Sequence, residues 1–411
     1  MSAFLSVVEA QDKLLVHFSP LSVKSVQLSK SANRIIAKDL YANFDIPSFS
    51  NSGMDGFAIQ AGDLAGASLA DPVSLPVIGD IPAGANTTLV VGEGQAARIM
   101  TGAILPTGAD SVVPVEDTDF PFGEPGTLAP SIIKIYRQVR EGENVRLAGQ
   151  DIRKGDCVFK SGHRIRPQDV GLMAMLGMER VPVYRKPRIA VFSSGDELLP
   201  PGSEIIPGKV YDSNTFTLTA LIDSYGGKCI NLGIVHDRED EIQAGLKRAV
   251  EEKVDLIVSS AGVSVGAFDF VRAVVQSHGR LEFWQVNIRP GKPIAFGDYM
   301  GISYFGLPGN PVSAFVTFEV FVRPAILKMS GVDPLDRRIL RVKLLEDIDL
   351  DGRESYLRAL VTFRDGNWEA RLTGHQGSGN LFSLVSANAL LVIPAGVTKI
   401  SSGSIVNAWQ L

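Results

Sequence analysis

Cysteine is nearly absent from this chain of 411 residues. Only Cys157 and Cys229 occur, far apart and outside any CxxC spacing. That excludes a disulfide framework and a cysteine-built zinc site, and a reducing cytoplasm fits best. Histidine is scarce too: five residues, with no HxxxH or HExxH spacing to build a metal cluster and no Ser-His-Asp order. Positive charge is not in surplus, since 40 Lys and Arg against 45 Asp and Glu leave a net −5. Nucleic acid and anionic membrane are therefore poor candidates for the main partner, although a local basic pocket for a small anion remains compatible. No stretch approaches the ~18 apolar residues of a membrane span. The early charges Glu9, Asp12 and Lys13 do not fit a secretory signal.

What the chain does have is an ordinary globular balance, 45% hydrophobic and 21% charged, and a length that predicts about two to four domains. Residues 1–45 read as mainly helical, with Val7, Val8, Leu14, Leu15 and Val16 on one face. From 46 to 144, short β-branched runs alternate with Gly, Pro and Asp, the pattern of a β-rich domain. Residues 165–184 read as another short helix, and 1–45 with 145–184 are expected to form one discontinuous helical domain. Between 185 and 330 the period changes again. "RIAVFSS", "KCINLGIVHD" and "VDLIVSSAG" alternate with helical segments, and "EFWQVNIRPGKPIAFGDY" reads as a hairpin. This predicts a doubly wound, mostly parallel α/β sheet. Residues 331–411 return to short strands and predict a C-terminal β-barrel domain.

In an open α/β sheet, ligands lie beyond the carboxyl ends of the strands. Those ends are loaded here: "SSGDE" (193–197), "HDRED" (236–240), "SSAGVSVGAFD" (259–269), "RPGKP" (289–293) and "GLPGNP" (306–311). The segment 262–266, with Gly262, Ser264 and Gly266, predicts a nest of backbone N–H groups of the kind that binds phosphate. Arg289 and Lys292 add positive charge. Pro308-Gly309-Asn310-Pro311 reads either as a rigid strand-to-helix turn or as one wall of an anion pocket. Glu197, Asp237 and Asp269 fall at the same end; several acids beside an anion imply a divalent cation between them, and Mg²⁺ held by one or two carboxylates plus substrate phosphate is the usual arrangement. Asp212 suits helix capping, and Asp237 suits capping or function equally. Asp55 sits in a glycine-flanked turn, and Thr101 and Ser378 in polar glycine-rich loops.

Together "SGMDGFA", "RIMTGA", "NVRLAGQDI", "FSSGDEL", "GVSVGAFD", "RPGKP", "GLPGNPVSA" and "TGHQGS" resemble, in order and spacing, the molybdopterin molybdenumtransferase family of MoeA type, which includes the E domain of gephyrin. The resemblance spans essentially the whole chain. It implies four domains, a homodimer with the active cleft between subunits, and insertion of molybdenum from molybdate into adenylylated molybdopterin with release of AMP and a requirement for Mg²⁺. By motif it assigns catalytic positions to Asp55, Asp151, Glu197, Asp237 and Asp269, with Asp237 and Asp269 as metal ligands. Substrate contacts fall to Thr101, Gly262, Ser264, Gly266, Arg289, Lys292, Pro308, Pro311, Arg358 and Ser378, of which Arg289, Arg358 and Ser378 are expected to receive the oxyanion. It also implies a handover from a molybdopterin-adenylylating enzyme. Two positions depart from the pattern: Ala261 replaces a glycine, and Gln285 stands where relatives often carry lysine. The alternatives are molybdopterin adenylylation, whose enzymes read more like "GGTG" than "GVSVG" and lack the flanking domains, and a gephyrin-like scaffold without catalysis.

Overall fold

A computed structural model describes residues 4–120, 126–260, 270–333, 335 and 337–411, with the backbone alone at 283 and 284. Gly262, Ser264, Gly266 and Asp269, and the departure at Ala261, lie outside the described residues. The chain divides into two compact units, one comprising 1–38, 161–173 and 178–411, the other 39–160 and 174–177.

The larger unit is organised by a six-stranded sheet in the order Lys228–Val235, Arg188–Ser194, Leu256–Ser260, Ile302–Leu307, Pro293–Tyr299, Gly279–Gln285. The first four strands run parallel and the last two, the expected hairpin, antiparallel. Leu256–Ser260 is buried at every position because helices cover both faces, so it reads as an unbroken apolar run rather than an alternation. Side chains still alternate between faces. Ile189, Val191, Leu256 and Val258 join one core, while Ala190, Phe192 and Ile257 join the other. Helices Glu239–Glu251 and Phe270–His278 cover the second face with Ile242, Leu246, Val271 and Val275. The first face is covered by Asn214–Ser224, by the helix that begins at Pro311, and by the N-terminal helix Val7–Leu15, which contributes Val7, Ala10 and Leu14.

That N-terminal helix starts on a capping box, with Ser6 and Glu9 satisfying each other's backbone N–H groups. The helical reading of 1–45 stops there. Val23–Gln27 is a strand paired antiparallel with Arg180–Tyr184, and the expected helix of 165–184 is confined to Pro167–Met175. Partners more than 150 residues apart decide these segments, and local periodicity does not register such pairing. In the same unit a closed five-stranded barrel follows. Glu354–Arg364, Asn367–Leu372, Ile339–Leu344, Ile405–Gln410 and Ala389–Ile393 pair in turn, and the last returns to the first. Val342, Leu357, Ala370, Leu391 and Ala408 fill it.

The smaller unit is built on five strands in the order Ser111–Pro114, Gly56–Ile59, Ala96–Ile99, Val73–Ile81, Ile132–Ile135. Gly56 is required by close approach, since a Cβ there would lie 1.9 Å from the carbonyl oxygen of Val113.

Candidate active site

A cleft of about 660 Å³ lies at the carboxyl ends of the parallel strands, where fold logic places a ligand. It is lined by Glu197, Asp212, Ser213 and Asn214 on one side and by Pro293, the turn Pro308–Pro311 and Gly379 on the other. Asn214 organises the junction. Largely buried at the start of its helix, it donates from Nδ2 to Ser260 Oγ (2.6 Å) and to the carbonyl of Gly309 (2.7 Å). The glycine-proline turn is thereby tied to two neighbouring elements. Asn310 stands at the N-cap position without a side-chain capping bond, and Pro311 occupies the first position of the helix, where a missing N–H costs nothing. The next N–H, from Val312, donates to the carbonyl of Ser378 (3.0 Å). Pro308–Pro311 is therefore a wall of the cleft and a rigid turn, and the first-turn donor at Val312 serves the 374–380 loop.

Carboxylates gather at one end. Gly195 leaves room for Glu197 to fold back, because a Cβ at 195 would lie 2.6 Å from Glu197 Oε2. Asp196 Oδ1 accepts from the Asp237 N–H (3.3 Å) and pairs with His236 Nδ1 (3.1 Å). Partial burial pushes the Asp237 carboxyl up, and the charges of Asp196 and Glu197 push it further; hydrogen bonding from Ser194 and the proximity of His236 oppose this more weakly. Among the described residues no side chain pairs with the Glu197 carboxylate, and no group of three His, Cys, Asp or Glu side chains is arranged to hold a metal ion. These hard oxygen donors suit Mg²⁺, which keeps several waters and takes one or two carboxylates with substrate phosphate. Asp212 accepts from the Thr215 N–H (3.1 Å) and the Ser193 hydroxyl (3.0 Å), which is the capping role.

Basic groups gather elsewhere in the same unit. The two-residue strand Ile288–Arg289 runs parallel to Glu354–Ser355 at the barrel, which fixes the Arg289 backbone. Its guanidinium lies 3.5 Å from Asp351. Arg358 is 1% exposed and donates to Ser383 Oγ (3.0 Å) and to the carbonyls of Gly377 (3.0 Å) and His375 (3.4 Å). It supports the loop that carries Ser378. Burial, and then the charge of Arg289, push its pKa down to about 10. Lys292 rests its ammonium 4.6 Å from the centre of the Phe4 ring, a cation–π contact. Gln285 is exposed at the end of its strand, opposite Pro293.

In the smaller unit the "MDG" and "MTGA" motifs meet. Asp55 Oδ1 accepts from the Thr101 N–H (2.7 Å) and hydroxyl (2.9 Å), both residues remaining exposed. Asp151 pairs with Arg146 at 2.5 Å. Three residues escaped sequence reasoning. Asn214 looks like an ordinary helix start, and its partner Gly309 lies 95 positions away. Asp351 and Arg353 look like a surface pair in a turn; only the fold brings Arg289 beside them.

An α/β sheet with a cleft at its carboxyl ends, acidic on one side, joined to a closed barrel, defines the class: a ligand-binding α/β protein. Residues 5–177 match the model for the MoeA N-terminal region (domain I and II), 190–328 that for a probable molybdopterin binding domain, and 341–411 that for the MoeA C-terminal region (domain IV). A Haemophilus influenzae protein named molybdopterin molybdenumtransferase is 34% identical over 98% of this chain and 97% of its own. Molybdopterin molybdenumtransferase 2 of Mycobacterium tuberculosis H37Rv is 36% identical over 94% and 95%. The crystal structure of the molybdopterin biosynthesis MoeA protein from Pyrococcus horikoshii OT3 superposes with a TM-score of 0.82 at 29% identity, covering all of both chains. The chain belongs to the MoeA family of molybdopterin molybdenumtransferases.

Proposed function

We propose that this protein inserts molybdenum from molybdate into adenylylated molybdopterin and releases AMP, a transferase step in molybdenum cofactor biosynthesis. The observation that carries the reading is the cleft at the strand ends, lined by Glu197 with the Asp237 carboxyl near it, in a chain that matches full-length transferases of that name. Adenylylation of molybdopterin and a purely structural role are not favoured by those relatives. In the proposed arrangement the Asp237 carboxylate would hold Mg²⁺, with Asp269 as the expected second ligand and Glu197 as a further nearby carboxylate. When bound it would neutralise charge on the phosphoanhydride. Asp212 and Asn214 keep the strand-end turns in place, and Arg289 together with the 374–380 loop receives the oxyanion. Positioning and charge neutralisation are what phosphoryl-type cleavage chiefly needs.

The same reading proposes a division into 1–45 with 145–184, 46–144, 185–330 and 331–411. It also proposes a homodimer in which Asp55, Thr101 and Asp151 of one subunit complete the cleft of the other. A cytoplasmic setting suits two unpaired thiols, and no described helix is long and apolar enough to cross a membrane. Substrate would arrive from an enzyme that adenylylates molybdopterin. The test is reconstitution: the protein, adenylylated molybdopterin, molybdate and Mg²⁺ are expected to restore activity to a molybdenum-free acceptor enzyme. Recovery that is the same without this protein would refute the proposal.

A further inference from the structure

Asp351 lies between two guanidinium groups. Arg353 donates to its Oδ2 from Nη2 (2.6 Å) and Nε (3.1 Å), and the Arg353 N–H donates to Oδ1 (3.2 Å). Arg289 approaches the same Oδ2 from the other domain at 3.5 Å, longer than a charge-assisted hydrogen bond. Arg353 also reaches across to the carbonyl of Ile288 (3.3 Å), so both arginines are anchored to the short strand carrying Arg289. Arg289 and Asp351 are each 38% exposed and Arg353 is 33% exposed, which leaves their outward faces open. Arg358 lies near enough for the Arg289 charge to lower its pKa. Two guanidinium groups thus share one carboxylate, and the charge of Arg289 is felt by a third, Arg358.

A pair such as Asp351 and Arg353 in a turn is ordinarily worth ~0–1 kcal/mol. The loose third contact is what distinguishes this one. A carboxylate and a tetrahedral oxyanion present similar acceptors to a guanidinium fork. We propose that Asp351 is an internal anion that holds Arg289 and Arg353 until an oxyanion displaces it from Arg289, and that Arg353 is a second guanidinium of the oxyanion site. The inference rests on the transferase reading for the identity of the anion, which is molybdate. Asp351 then sets specificity: a weakly bound or singly charged anion fails to compete with a carboxylate held in place, whereas a dianion offers more charge and more acceptors than it loses.

The test uses the full-length protein and molybdate alone, with bound metal measured by mass spectrometry after equilibrium dialysis, and perchlorate, a singly charged tetrahedral oxyanion, as competitor. Asp351→Asn keeps an acceptor for the Arg353 N–H and removes the charge. It is expected to bind molybdate about fivefold tighter and to lose discrimination against perchlorate, and Asp351→Ser should do the same. Arg353→Gln is expected to weaken binding about tenfold, and Arg353→Lys to recover only part of it. In the double variant Arg353→Gln with Asp351→Asn, the tightening should shrink. Unchanged or weaker binding by both Asp351 variants, or unchanged binding by Arg353→Gln, would overturn the proposal. If wild type binds no molybdate in dialysis yet releases AMP in a molybdate-dependent way, this inference alone fails; if both are absent, the transferase reading fails with it.

Discussion

At the carboxyl ends of Arg188–Ser194 and Lys228–Val235, Asp196 and Glu197 lie close enough to oppose the ionisation of Asp237, whereas beside Ile288–Arg289 the single carboxylate of Asp351 is held between two guanidinium groups. The first region carries more charge of one sign than its partners neutralise, so the Asp237 carboxyl is pushed up, by burial first and its acidic neighbours second. The second is neutralised from within, and hydrogen bonding from Arg353 holds Asp351 below the usual carboxylate range. A site with unmet negative charge invites a cation. A site with an internal counter-ion invites exchange. On the proposed reading, the contrast would keep a phosphoanhydride-bound metal ion and a free oxyanion at separate places in one protein.

The largest effect should come from removing charge at the first region. Asp237→Asn is expected to lower AMP release by ~100-fold or more while the circular dichroism spectrum stays native. Full activity in that variant would remove Asp237 from the reaction. Next, Arg358→Met should destabilise the larger unit by about 2–3 kcal/mol, because the carbonyls of His375 and Gly377 lose a buried donor; urea unfolding measures this. It should also loosen the 374–380 loop, seen as faster amide exchange there. Asp55→Ala probes the smaller unit by itself. It removes two hydrogen bonds to Thr101 and should cost about 1 kcal/mol, read from the unfolding of the smaller unit.

These sites were unequally legible in the sequence. Parallel strands covered on both faces read as continuous apolar runs, so "RIAVFSS" and the loaded turns beyond such strands stood out; Glu197 and Pro308–Pro311 line one cleft, and Asp237 lies near Glu197. Val23–Gln27 did not, since it is exposed at every position but Val26, carries Lys24 and Ser25, and becomes a strand only through Arg180–Tyr184. The motif around Arg358 was visible, but its burial was not: it sits in a strand of the barrel where its neighbours along the chain, Leu357 and Ala359, fill the interior. The Arg289–Asp351–Arg353 arrangement needs two domains in contact, which no local pattern encodes.

The smallest effect follows from pH, and it sharpens the comparison because the two regions should respond with opposite sign. A raised carboxyl such as Asp237 favours folding fully below the ordinary aspartate value of 3.8, and that contribution is lost as pH rises through its raised value. Asp237→Asn should therefore raise the thermal midpoint at neutral pH, with the gain vanishing below 3.8. A lowered carboxyl such as Asp351 stabilises above that value and loses the contribution as pH falls through its own lower pKa. Asp351→Asn should lower the midpoint at neutral pH. Differential scanning of both variants from pH 3 to 8 measures this; shifts of the same sign would break the comparison.

The central claim is met most directly by AMP release from adenylylated molybdopterin with Mg²⁺, followed with and without molybdate in a single turnover. The account predicts release that rises with molybdate, falls with Asp237→Asn, and requires more molybdate when Arg289 is replaced by Gln. Release indifferent to molybdate, or binding of the nucleotide without cleavage, would contradict it.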